Sequence, residues 1–262
     1  MLSDEPRVIL FRDQAAQFGI GLRLGHNKDC IACHPARKLF VMKEPVLMCW
    51  SGGKDSSLAL QAALQDPALQ VQALLTTVTQ DYQRISMHGV RCSLLEKQAA
   101  AVGLPLEQVQ IPVKSSNAIY EEAMRTVLTR YQSRGVSRVI FGDLFLEEIR
   151  SYREKNLAQI GMRGIYPLWL KDTRQLAHDF IAQGFKAILV CIDPKQIGPS
   201  FCGREFDESL LKDFPAGVDS CGENGEFHTF VYDGPIFSQP VPVSRGEIVE
   251  REGFWFCDLR EA

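Results

Sequence analysis

The sequence predicts a doubly wound α/β domain on a parallel sheet, followed by a smaller C-terminal α+β domain. Three observations predict it. Apolar runs without polar alternation recur at 46–50, 71–78, 106–112 and 138–143, as in strands buried on both faces. Between them lie stretches of good helix formers that can cross back over a sheet. The first run, "VLMCW", passes directly into the glycine-rich "SGGKDS" at 51–56 and then into a helix, the order of a phosphate-binding turn.

In chain order, strand 46–50 leads to a helix over 55–66, and strand 71–78 leads through a polar loop to a helix over 91–102. Strand 106–112, a long helix over 117–134 and strand 138–143 follow. A helix over about 145–160 ends before "YPLW", where Pro167 breaks the pattern. Beyond it come a helix over 173–183, the strand "KAILVCID", a Gly- and Pro-rich loop, a short helix at 207–213, and a mostly β segment from "FHTFVYD" to "FWFCDL". A boundary near Pro167 divides the chain into an extension of unknown role (1–43), a nucleotide-binding domain (44–166) and a C-terminal domain (167–262).

Composition narrows the function classes. The chain has 262 residues, 45% hydrophobic and 23% charged, with a net charge of −3, so nothing draws it as a whole to nucleic acid or to an anionic membrane. No apolar run reaches the roughly 18 residues of a membrane span, and the N-terminal text lacks the pattern of a secretory signal. These features predict a cytoplasmic protein whose eight scattered cysteines are reduced.

The loop at 51–56 has the chemistry of an anion site. A helix N-terminus offers unpaired N–H groups and a partial positive charge. Gly52 and Gly53 let the backbone approach a phosphate, Ser51 and Ser56 add hydroxyls, and Lys54 adds a cation that reads as flexible and exposed. The loop fits neither G-x-x-x-x-G-K-[ST], because Asp55 takes the hydroxyl position, nor G-x-G-x-x-G. "SGGKDS" resembles instead the loop of the ATP pyrophosphatase superfamily, Rossmann-like domains of the adenine nucleotide alpha hydrolase type. The resemblance implies ATP, cleaved between its α and β phosphates and bound through Ser51, Gly52, Gly53, Lys54, Asp55 and Ser56, together with Gly142 and Asp143 at the end of a later strand.

Four further stretches, "MHGVRCSLLEKQAAAVGLPL", "FGDLFLEEIRSYREKNLAQIGMRGIYPLW", "CGREFDESLLKDF" and "CGENGEFHTFVYDGPIF", resemble the diphthine-ammonia ligase family in order and spacing over residues 44–262. The resemblance implies adenylation of an acceptor carboxylate, displacement of AMP by ammonia, and acceptor binding by the C-terminal domain. On that family's signature fall Glu223, Asn224, Gly225, Glu226, Phe227, His228 and Thr229. Glu223 and Glu226 join Lys54 and Asp55 as catalytic candidates; Glu223, Asn224, Gly225, Glu226, His228 and the loop residue His88 are the substrate candidates. On this reading the phosphate loop carries ATP and the signature loop carries the acceptor, in separate domains. The bland alternative for 223–229 is a polar turn ahead of a strand. Asp143, Asn224 and "SMHGVR" depart from the family's pattern, and bacterial members make no diphthamide, which leaves the acceptor open.

Smaller signals have two readings each. Asp143 is a candidate Mg²⁺ ligand beside ATP, or the N-cap of a helix beginning at Leu144. Arg150 and Arg153 share a helix face, and either neutralise pyrophosphate or sit solvated beside Glu147 and Glu154. "CIACH" (30–34) matches the C-x-x-C-H haem-attachment pattern, which would need an oxidising setting, and with His26 it offers a zinc or redox knuckle or belongs to an inert leader. The expected partners are ATP, ammonia and a carboxylate acceptor, protein-borne or small, with a homodimer open. The rivals are a tRNA-modifying ATP pyrophosphatase and a non-catalytic ATP sensor.

Overall fold

The computed structural model describes residues 43–79, 84–85, 89–113 and 115–262. The "CIACH" stretch, His26 and His88 lie outside the described residues, so their readings stay expectations.

Five strands run parallel: β1 (Glu44–Cys49), β2 (Leu69–Thr79), β4 (Leu106–Ile111), β5 (Arg138–Ile140) and β6 (Arg163–Ile165), while β3 (Arg84–Ile85) lies antiparallel to the end of β2. β2 pairs with β1 and β4, β1 with β5, and β5 with β6, which gives the parallel order β4-β2-β1-β5-β6. Four helices cover this sheet: α1 (Lys54–Gln65), α2 (Cys92–Val102), α3 (Asn117–Gln132) and α4 (Glu147–Ala158). Successive side chains of β1 point to opposite faces. Val46 and Met48 join one core with Leu58 and Leu60 of α1 and Leu94 and Leu95 of α2; Leu47 joins another with Leu128 of α3 and Leu157 of α4. Helices on both faces make the sheet doubly wound, as its unalternating strands predict.

After α5 (Thr173–Ala182), a second sheet has the antiparallel order β8-β7-β10-β9, from β7 (Lys186–Ile192), β8 (Phe227–Asp233), β9 (Val243–Arg251) and β10 (Phe254–Glu261), with the short α6 (Glu208–Asp213) inserted before β8. Asp172 and Asp207 cap α5 and α6, each accepting a backbone N–H three residues on at 2.8 Å. β8 is an edge strand, and an uncovered edge leaves unpaired backbone groups. Here the phosphate loop covers it. Val231 N donates to Gly52 O at 2.9 Å, and the buried Gln98 of α2 donates through Nε2 to the carbonyls of both Gly52 and Val231. The core around α1 and α2 continues into Ala187, Leu189 and Phe230 of this second sheet. All described residues belong to one compact unit. Among them, no helix is long and apolar enough to cross a membrane, and the cysteines at 49, 92, 191, 202, 221 and 257 are free thiols.

Candidate active site

From β1 the chain winds outward to β2 and β4, then returns to β5 on the other side of β1. Ligands bind in the crevice that such a reversal opens at the strands' C-terminal ends. A cleft of about 310 Å³ lies there, lined by Ser51, Asp55 and Ser56 of the phosphate loop, by Gly142, Asp143 and Arg153 from β5 and α4, and by Glu223 and His228 of the signature.

The loop's shape depends on its glycines. Gly52 has φ +75°, and a Cβ there would sit 2.6 Å from Gln98 Oε1. Gly53 is extended and ends the loop as the N-cap of α1. A Cβ on Gly142 would lie 2.8 Å from the carbonyl carbon of Asp55 and 2.9 Å from Ser56 N, so only glycine lets β5 meet the first turn of α1. The hydroxyls hold the loop itself: Ser51 Oγ accepts from Gly53 N at 3.3 Å and donates to Ser56 Oγ at 3.1 Å, while Ser56 and Ser57 each donate to Gly53 O at 2.9 Å. One of the helix's first donors is already used, since Lys54 N donates to Thr229 Oγ1 at 3.0 Å.

Lys54 departs from the expectation of a flexible, exposed cation. It is only 3% exposed. Its Nζ donates to Asp55 Oδ1 and Oδ2 at 3.0 and 2.8 Å and to the carbonyl of Cys221, and it stands 5.4 Å from the centre of the Phe227 ring. Burial works against its charge, but its neighbours Asp55, Cys221 and Glu223, Asp55 foremost, together outweigh it and the pKa is raised. The ammonium faces the signature loop, because "SGGKDS" and "CGENGEF" fold against each other.

The two loops are therefore in direct contact and border one cleft. Within the signature, Asp219 organises the turn: its Oδ2 accepts from Glu223 N at 2.9 Å and Cys221 N at 3.2 Å, and its Oδ1 accepts from the Thr173 hydroxyl. Glu226 is 1% exposed, and its Oε1 accepts from Asp219 N at 2.9 Å and Asn224 Nδ2 at 3.1 Å. Its Oε2 is buried without a hydrogen bond. Glu226, Asn224 and Gly225 do not line the cleft; Gly225 supplies a turn at φ +86° with open space around it.

Glu223 does line the cleft, with Oε1 accepting from Leu144 N at 2.9 Å. Burial, reinforced by the negative charges of Asp55 and Asp143, pushes its carboxyl up to about 7, against the Leu144 amide and the Lys54 ammonium. His228 borders both this cleft and an adjoining cavity of about 660 Å³. Burial, with Lys54 adding to it, lowers its pKa to about 4, so its ring is neutral at pH 7. Sequence reasoning missed Asp219 and Gln98. Asp219 precedes Cys221 and Glu223 at the spacing of an Asx turn, which could have marked it; a lone glutamine in a helix carries no such signal.

Asp143 is not a helix cap, since α4 begins at Glu147 with Leu146 as N-cap. Its Oδ2 lies 2.8 Å from Arg153 Nε. The arginine pair separates: Arg153 lines the cleft, whereas Arg150 pairs with Glu154 at 3.0 Å and stands 4.6 Å from each of the Tyr166 and Trp169 ring centres.

Two family models match in tandem. The model of the diphthamide synthase N-terminal domain matches residues 42–164, and that of the C-terminal domain matches 172–261. The chain belongs to the diphthamide synthase family. Among its relatives, the diphthine–ammonia ligase of Schizosaccharomyces pombe is 25% identical over 237 residues, covering 82% of this chain and 38% of the relative. That of Mus musculus is 26% identical over 231 residues, covering 76% and 82%; that of Danio rerio is 29% identical over 111 residues, covering 40% and 43%. The chain thus spans well under half the length of the fission-yeast relative and most of the mouse one.

Proposed function

We propose that this chain is an ATP-dependent ligase that splits ATP into AMP and pyrophosphate and joins ammonia to an acceptor carboxylate. The observation that carries the reading is Glu223 of the signature loop standing in one cleft with Ser51, Asp55 and Ser56 of the phosphate loop. The phosphate chain would lie at the N-terminus of α1, where the amides after Lys54 and the helix dipole stabilise the charge of departing pyrophosphate. The acceptor carboxylate attacks the α-phosphorus, giving an acyl-adenylate and pyrophosphate. Ammonia then attacks the acyl carbon and AMP leaves. A carboxyl that titrates near neutrality suits proton transfer. Glu223 takes a proton from ammonium, releasing the nucleophilic ammonia inside the cleft.

Lys54, Thr229, Asp219 and Glu226 act here as positioning residues, because none of them lines the cleft and each holds a group that does or that shapes the loop. Among the described residues no group of three His, Cys, Asp or Glu forms a metal cage. Mg²⁺ would arrive with the phosphates of ATP, neutralise their charge, and take Asp55 or Asp143 as its protein ligand. The relatives' name supports diphthine as one acceptor, which by the family resemblance is carried on a translation elongation factor. The portion to about 166 would serve the nucleotide and the remainder the acceptor, with His228 between them. Six free thiols support a cytoplasmic setting.

The test is product analysis of the purified protein with ATP, ammonium and a panel of carboxylate acceptors that includes the diphthine-bearing elongation factor. AMP and pyrophosphate in equal amounts, dependent on both ammonium and acceptor, support the ligase. ATP binding without turnover across the panel supports the sensor, and AMP formation that needs tRNA supports the RNA-modifying rival.

A further inference from the structure

We propose that Arg153 is the cleft's receptor for a substrate oxyanion, held through two parallel N–H···O bonds. The inference rests on the reading of this cleft as a nucleotide site and adds the residue that grips the anion. α4 brings Arg153 to the cleft wall, where its side chain is 26% exposed and its guanidinium carbon lies 4.6 Å from the centre of the Phe141 ring. Asp143 Oδ2 forms an ion pair with Nε at 2.8 Å, which occupies one edge of the guanidinium. Among the described residues no hydrogen bond reaches the rest of this guanidinium. Arg150, one turn earlier on the same helix, is satisfied by Glu154 and two rings.

A planar guanidinium fixed over a ring, held at Nε by one carboxylate and with its Nη donors unspent, is organised in advance for a planar fork of two oxygens. Its neighbours in the cleft do not use those donors up. Cys49 and Tyr120 line the same wall, and burial raises the pKa of both, that of Tyr120 to about 12, so both are neutral at pH 7. Gly142, the residue before Asp143, packs against the Asp55–Ser56 backbone, which puts this wall and the phosphate loop around one volume. Two substrate groups carry the required chemistry: a phosphoryl group of the nucleotide and the carboxylate of the acceptor.

Binding measurements on the full chain test this, with Arg153→Lys and Arg153→Met compared with wild type by calorimetry against ATP, AMP and adenosine, and by line broadening of ¹³C-acetate as the carboxylate probe. A phosphoryl source predicts that ATP and AMP affinity fall roughly 10- to 100-fold in Arg153→Met and less in Arg153→Lys, with adenosine unchanged. An acceptor source predicts unchanged nucleotide affinities and lost acetate broadening. Unaltered adenosine binding shows that the variant is folded; if Arg153→Met does not fold, Asp143→Asn releases the guanidinium while keeping its charge and predicts a smaller loss in the same probe. Wild type that binds ATP while the folded variants match it in every probe overturns this inference alone. Wild type that does not bind ATP overturns the nucleotide reading and this inference with it.

Discussion

The phosphate loop and the signature loop meet in one cleft but keep their shapes by opposite means. Residues 51–56 are shaped by missing side chains, since Gly52 and Gly142 leave room that a single Cβ would fill. Residues 219–226 are shaped by carboxylates, with Asp219 and Glu226 collecting the amides of the turn. The first kind of loop fails when an atom is added; the second fails when an acceptor or a charge is removed. Lys54 belongs to both, and substitutions there test the comparison most severely.

Lys54→Met should have the largest effect on stability. It leaves Asp55 beside an uncompensated site and frees the Cys221 carbonyl, and breaking a buried pair costs about 3–5 kcal/mol. Urea denaturation should show that loss together with lost ATP binding; a variant as stable as wild type would mean that the ammonium does not tie the loops. Gly142→Ala comes next. Its Cβ would meet backbone, which yields less than a side chain, so about 1–3 kcal/mol of strain is expected with at least tenfold weaker ATP binding. Unchanged calorimetry would show that β5 and α1 can part without consequence.

Glu223→Gln keeps size and changes charge, so it tests the carboxylate side of the comparison. The folded carboxyl titrates near 7, above the ordinary 4.5, so folding favours its protonated form. Its stabilising contribution is complete below about 4.5 and is lost as pH rises through about 7. Wild type should therefore lose stability between pH 5 and 8 by more than Glu223→Gln does. In the same range ionised Glu223 repels bound phosphate, so ATP affinity should fall with pH in wild type and stay flatter in the variant, while AMP formation drops at least tenfold. Parallel pH profiles for the two proteins would remove Glu223 from the cleft's electrostatics. Asn224→Ala should do least, under about 1 kcal/mol, because Asn224 is exposed and gives Glu226 one of two bonds. A larger loss in melting experiments would mean that the turn depends on more than its carboxylates.

Much of the nucleotide half was legible in the sequence because its signals are local. An unalternating strand, a glycine-rich turn and a helix are read within about twenty residues, and β1, α1 and β2 follow that text closely. β3 and β6, of two and three residues, are too short for any periodicity to register. The site was less legible because its decisive contacts are distant in sequence: Lys54 meets Cys221 and Thr229, Gln98 meets Val231, and Glu223 meets Leu144. Lys54 looked exposed because a lysine in a polar loop ordinarily is. Its partners lie about 170 residues further on, and no local pattern contains them.

Hydrogen exchange of the full chain with and without ATP tests most directly whether the two loops form one site. The geometry predicts that ATP slows exchange both in residues 51–57 and in residues 219–229, since Lys54, Thr229 and Glu223 join them around the cleft. Protection confined to 51–57, with 219–229 exchanging as in the free protein, would contradict it.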